Sequence, residues 1–72
     1  MSKTKQAYIR DAEEIENLEE GKEVVLIFAN GEEYTGIFKG LDDEQIILKA
    51  LDSESMIGLP LNMLKGYMER FK

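Results

Sequence analysis

Seventy-two residues with no cysteine and no histidine suffice for one domain, and they exclude disulfides, thiolate nucleophiles, the usual zinc ligands and the commonest general base together. A core this small supplies only about 3–5 kcal/mol, so burial against a partner chain, and with it a homo-oligomer, is the default expectation. The net charge of −6 is unevenly spread: Asp11, Glu13, Glu14, Glu16, Glu19, Glu20 and Glu23 crowd one segment against Lys22 alone, which repels phosphates and reads as a solvated face or, less simply, as a docking surface for a basic partner.

The lead, residues 1–10, is short and polar apart from Tyr8 and Ile9, and is expected to be flexible. Met1-Ser2-Lys3-Thr4-Lys5 lacks the apolar stretch of a secretory signal, and no apolar run nears the roughly 20 residues that cross a bilayer, so the expected location is cytoplasmic, with no membrane contact. Asp11 stands as a helix cap with Glu14 three residues on, Ala12, Ile15 and Leu18 form an apolar stripe, and Gly21 marks a stop. That pattern predicts an amphipathic helix over 11–20 lying against a β part.

From Glu23 the period changes. Val24-Val25-Leu26-Ile27-Phe28 has no polar break and predicts a strand buried on both faces; Asn30-Gly31 then predicts a hairpin with a type I′ turn. Residues 33–40 alternate, with Tyr34, Gly36 and Phe38 on one face, and Gly36 in mid-strand signals a sharp bend or a close backbone approach. A tight turn at Leu41-Asp42-Asp43-Glu44 leads to a third strand over 45–51. After the polar loop 52–55 come a short strand at Met56-Ile57-Gly58-Leu59, ended by Pro60, a brief turn at Leu61-Asn62-Met63, and a last strand over 64–71. The whole reads as mainly β: a helix, then five strands of a strongly bent antiparallel barrel over 23–71.

Chemistry is scarce. Ser2, Thr4, Thr35, Ser53 and Ser55 have no histidine to activate them, Asp42 and Asp43 read as solvated turn formers, and neither a phosphate-binding glycine loop nor a calcium loop can be assembled. The expected protein is no enzyme, and no cofactor or metal is implied. For nucleic acid, Phe28, Tyr34, Phe38, Tyr67 and Phe71 would need an exposed basic face, and their spacing turns Tyr34 and Phe38 toward the core. Lys39, Lys49, Lys65, Arg70 and Lys72 are either a local basic rim on the strands or dispersed solubilising charges.

Gly21-Lys22-Glu23-Val24, Asn30-Gly31, Tyr34, Gly36, Phe38, Leu41-Asp42 and Ile47-Leu48 resemble the first motif of the Sm-like family, in its LSM and Hfq-type versions, over about half of the chain. The resemblance implies a five-stranded SH3-like barrel that builds homo-oligomeric rings by pairing its fourth strand with a neighbour's fifth. On this chain that interface would use Met56, Ile57 and Leu59 with Tyr67 and Met68. The family's RNA pocket carries over poorly. Glu44 and Ile46 stand where a stacking aromatic and an asparagine are expected, Ile57 replaces a basic residue, and the Hfq-type Tyr-Lys-His signature is absent, which leaves Lys39, Asp42 and Gly58 as RNA contacts if RNA is bound. The resemblance thus implies an interaction scaffold, with RNA binding by a non-standard face as an alternative. Residues 57–65, Ile-Gly-Leu-Pro-Leu-Asn-Met-Leu-Lys, also resemble the C-terminal Sm-like domain of ribosome maturation factor RimP, which implies docking to a ribosomal protein.

Overall fold

The structure, a computed structural model, describes residues 9–70. The expected lead up to Tyr8, and Phe71 and Lys72 at the end of the last strand, lie outside the described residues. Six strands form one antiparallel sheet: β1 (Arg10–Asp11), β2 (Glu23–Phe28), β3 (Glu33–Asp42), β4 (Gln45–Lys49), β5 (Met56–Pro60) and β6 (Leu64–Glu69), in the spatial order β1-β6-β2-β3-β4-β5. Residues 23–49 therefore give three consecutive neighbouring strands, as the period-two pattern requires. The sheet is open, not closed: among the described residues β1 and β5 end it, and no pairing joins them.

The expected helix over 11–20 is absent. A 3-10 turn, Ala12–Asn17, takes its place, and the chain is extended again at Leu18 (φ −77°, ψ 135°). Asp11 makes no side-chain cap; its backbone pairs with Gly66 in β1. The physical cause lies in the charges. Glu16 and Glu20 are a like-charge pair four residues apart, and a helix of these ten residues sits below the length at which nucleation is recovered. Burying Ile15 completely takes only one turn of backbone. Gly21 (φ +98°) accordingly caps no helix but donates its N–H to the Phe38 carbonyl at 2.7 Å.

The turn at Asn30-Gly31 differs in kind from the expectation, and the expected tight turn after β3 is present one residue further on. At Asn30-Gly31 only Gly31 has a positive φ (+92°); its N–H donates to the Phe28 carbonyl at 2.9 Å, and the Phe28 N–H donates to Glu32. This is a three-residue loop with a bulged glycine, not a two-residue type I′ turn. The Asn30 side chain explains the choice by accepting the Glu32 N–H at 3.0 Å, an Asx-type bond that holds the longer loop. The two-positive-φ turn occurs instead at Asp43 (φ 53°) and Glu44 (φ 65°), because β3 runs on to Asp42, which pairs with Gln45. Glu44 is a costly residue for the left-handed region, and its carbonyl accepts the Leu61 N–H at 3.0 Å, which ties this turn to the end of β5.

The core holds Ile15, Val24, Leu26, Phe28, Phe38, Ile46, Leu48, Leu59, Leu64 and Tyr67 in one cluster drawn from five strands and the turn. β2 is buried on this face alone; Val25 and Ile27 on the other face are half-covered, so the expectation of two buried faces is corrected. Gly36 fulfils its signal. A Cβ there would stand 2.5 Å from the Lys49 carbonyl oxygen and 2.8 Å from Leu48 Cγ, so only glycine lets β3 approach β4 this closely. A bulge at Lys39-Gly40, with Gly40 at φ +115°, bends β3 further along.

Candidate functional site

The residues that matter for assembly sit at the two edges of the sheet. At one edge β5 pairs, among the described residues, with β4 alone, from Gln45↔Pro60 to Lys49↔Met56. The ladder alternation turns Leu59 and Ile57 toward the core side, opposite Ile46 and Leu48. Leu59 is buried there, but Ile57 remains 46% exposed and Met56, on the outer side, 56% exposed. Gly58, exposed on that outer side, faces Ile47 across the ladder. A short strand that leaves its outer backbone groups and two large apolar side chains open is an unfinished edge.

The other edge is finished differently. β6 lies between β2 and β1, with Arg10 opposite Tyr67 and Asp11 opposite Gly66. Tyr67 is only 2% exposed and packs in the core, and Met68, opposite Val25, is half-buried. Of the two residues expected at the interface on this strand, Tyr67 has β1 paired beside it and Met68 does not. Beyond β1 the outer edge of β6 carries no pairing at Met68 and Glu69 among the described residues.

β1 is held by few contacts. Arg10 Nη1 donates to Glu14 Oε1 at 3.3 Å, and Arg10 Nε lies 3.6 Å from Glu69 Oε2. Gly66 is buried beneath β1, and a Cβ on it would stand 2.7 Å from the Arg10 carbonyl oxygen and 3.0 Å from Ile9 Cγ2. Beside this clamp lies an open cleft of about 370 Å³, bounded by Arg10, Glu14, Leu18, Lys22, Tyr67 and Glu69. Burial first, then the carboxylates of Glu14 and Glu69, raise the Tyr67 pKa above 10.0, with Arg10 opposing. Among the described residues no serine or threonine lines the cleft. Among the described residues no group of three or more acidic, histidine or cysteine side chains could hold a metal ion, and no helix is long and apolar enough to cross a membrane.

The residues considered for RNA contact are only partly brought together. Lys39 in the β3 bulge and Gly58 on β5 flank Ile47, and Asp42 sits beyond them at the turn. The cations spread apart: Lys65 and Arg70 stand at opposite ends of β6, Arg70 Nε lies 3.5 Å from Glu23 Oε2, and Lys49 Nζ donates to the Ala50 carbonyl at 3.0 Å. Nor do the aromatics form a platform. Phe28, Phe38 and Tyr67 are buried, and Tyr34 stands edge-on to Phe28 with ring centres 5.6 Å apart. Tyr34 Oη donates to Glu32 Oε1 at 2.7 Å, and that bond, with the carboxylate's charge, raises the Tyr34 pKa.

Sequence reasoning missed Arg10, Asp11 and Gly66 as structural partners. One signal was present: Gly66, like Gly36, interrupts a strand that has no turn, and such a glycine marks a close backbone approach. No family model, no curated protein and no solved structure matches the chain.

Proposed function

We propose that the chain is a non-enzymatic Sm-like module that assembles with copies of itself into a ring by edge-strand pairing and acts as an interaction scaffold. The observation that carries this reading is the open β5 edge, where Met56 and Ile57 present apolar surface beside unpaired backbone. Supporting it are the strand order, in which the last strand returns beside β2, and a single core cluster fed by five strands, which favours a strongly bent, SH3-like ribbon. Gly36 and the Lys39-Gly40 bulge are the devices such a bend uses.

Pairing β5 of one copy with β6 of the next has a register that the residues favour. Setting Ile57 opposite Tyr67 places two core-side residues together, Met56 against Met68 on the outer side, Gly58 against Gly66, and Glu54 against Arg70. Faces match from Met56 to Gly58, where a slip of one residue would turn every side chain over; past Gly66 the register shift in β6 sets outer-side Pro60 opposite core-side Leu64. A partner strand attached head to tail in this way makes a heterologous contact, which gives a ring where the rotation closes and an open filament where it does not, rather than a two-fold dimer.

Size-exclusion chromatography with light scattering, recorded at 260 and 280 nm, tests the reading. A mass of several chains with protein-like absorbance, reduced to one chain by Ile57→Lys, is the expected result. A monomer at all concentrations overturns it. A ring that carries nucleic acid, released as salt rises, replaces the scaffold by an RNA-binding module, for which Lys39, Asp42 and Gly58 become the residues to substitute.

A further inference from the structure

We infer that β1 is an internal strap: residues 10–11 occupy the edge of β6 that a second copy's β5 must reach, and so hold assembly in check. The inference rests on the edge-pairing reading and adds a regulator to it. β1 pairs only at Gly66 and Tyr67, which are two of the positions that the register above assigns to the incoming strand. Both strands cannot bond the same side of β6, so they compete.

The competition is unequal in two directions. β1 belongs to the same chain, so its effective concentration at the edge is in the millimolar range, which delays any partner. Yet it offers two residues of ladder against five in β5, and Ile9, beside it, remains 66% exposed. The strap is fastened by Arg10, whose guanidinium reaches Glu14 and Glu69, and by the bare backbone of Gly66. Gly66 is diagnostic. Its absent side chain leaves room for the Arg10 carbonyl, and the three nearest atoms a Cβ there would meet belong to residues 9 and 10. Strands in ordinary ladders tolerate a Cβ at every position, so an alanine at 66 ejects β1 while accepting a regular partner strand.

The test compares the full chain with Gly66→Ala and Arg10→Glu, reading mass against concentration by light scattering and backbone amide exchange at residues 10 and 11 by NMR. Both variants are expected to exchange faster at 10–11 and to assemble at concentrations about tenfold lower, because the competent edge is no longer mostly covered. If the unaltered chain assembles and both variants, with faster exchange, assemble no more readily, the strap inference falls and the edge-pairing reading stands. If no form assembles, the edge-pairing reading falls and takes the inference with it. Unchanged exchange in both variants overturns the fastening assigned to Arg10 and Gly66. Should Gly66→Ala fail to fold, Arg10→Glu, a surface change, decides alone.

Discussion

At one end of the sheet β5 shows Met56 and Ile57 to solvent with no strand beyond it among the described residues, whereas at the other Tyr67 lies in the core and β6 is covered by two residues of the same chain. The strands resemble each other in composition: each is short, apolar and broken by one central glycine, Gly58 or Gly66. What separates them is what lies against the glycine. Gly58 meets the flexible side chain of Gln45, which can move aside, while Gly66 meets backbone. An edge is therefore defined less by its own residues than by whether another segment can come close enough to bond it.

The largest contrast to expect lies within β5 itself. Leu59→Ala removes a buried side chain and should cost about 2–5 kcal/mol, whereas Met56→Ala, three residues earlier and exposed, should stay within about 0.5 kcal/mol at concentrations where the chain is monomeric. Urea denaturation of both variants measures the difference. Equal losses would mean that Met56 is covered, and the description of β5 as an open edge would break.

Next comes the pair of strand glycines. Gly36→Ala drives a Cβ into the Lys49 carbonyl and Leu48, between strands that have neighbours on both sides, and should cost about 1–3 kcal/mol of global stability. Gly66→Ala pushes only against a removable segment. Its global loss should be smaller, with the change concentrated in local exchange at residues 9–11. A larger loss at Gly66 than at Gly36 would make β1 part of the core rather than a cover over it.

Much of this was legible in the amino-acid pattern, for reasons that particular residues make plain. The alternation Tyr34, Gly36, Phe38 and the runs around Leu26 and Ile47 carry strand signals strong enough to survive any tertiary setting, and they appear as neighbouring strands. The apolar stripe Ala12, Ile15, Leu18 failed because three residues at helical spacing are also served by one 3-10 turn, and adjacent glutamates penalise a longer helix. Asn30-Gly31 marked its hairpin correctly but not its loop length, since the Asn30 side chain bonds the backbone in a way that the dipeptide alone does not specify. β1 was illegible in Arg10-Asp11 itself; two residues have no period, and only Gly66, remote in sequence, betrays them.

Tyrosine ionisation separates the covered edge of β6 from the hairpin end of β3 through pH. Tyr67 has its folded-state pKa raised above the ordinary tyrosine value of 10.0 chiefly by burial, so the folded chain holds its proton where the unfolded chain has lost it. Stability is therefore fully present below about pH 10 and falls as pH rises through the folded-state value. Replacing Tyr67 by Phe removes that proton and should flatten the alkaline part of a stability profile measured by urea melts between neutral pH and pH 11. The direction is testable against Tyr34, whose raised pKa comes from Glu32 at an exposed site. An alkaline decline that persists in full in Tyr67→Phe and vanishes in Tyr34→Phe would place the sensitive proton at the hairpin end of β3 instead of beneath β1.

The smallest effect belongs to the clamp itself. Arg10 makes two ion pairs, both with a side chain that is 42% exposed, one to Glu14 and one to Glu69, and neither is short. Pairs of that kind are worth about 0.2–1 kcal/mol and depend on salt. Arg10→Ala should thus barely shift the global urea midpoint, by less than about 1 kcal/mol, and in 1 M salt, where charges are screened over about 3 Å, the difference from the unaltered chain should disappear. Faster exchange at Asp11 in low salt, without a matching global loss, is the outcome that fits a fastening whose release leaves the core intact. A loss that survives high salt would instead assign the Arg10 contribution to the packing of its aliphatic stem against the cleft wall at Tyr67 and Leu18, and the edge of β6 would then be closed by burial rather than by charge.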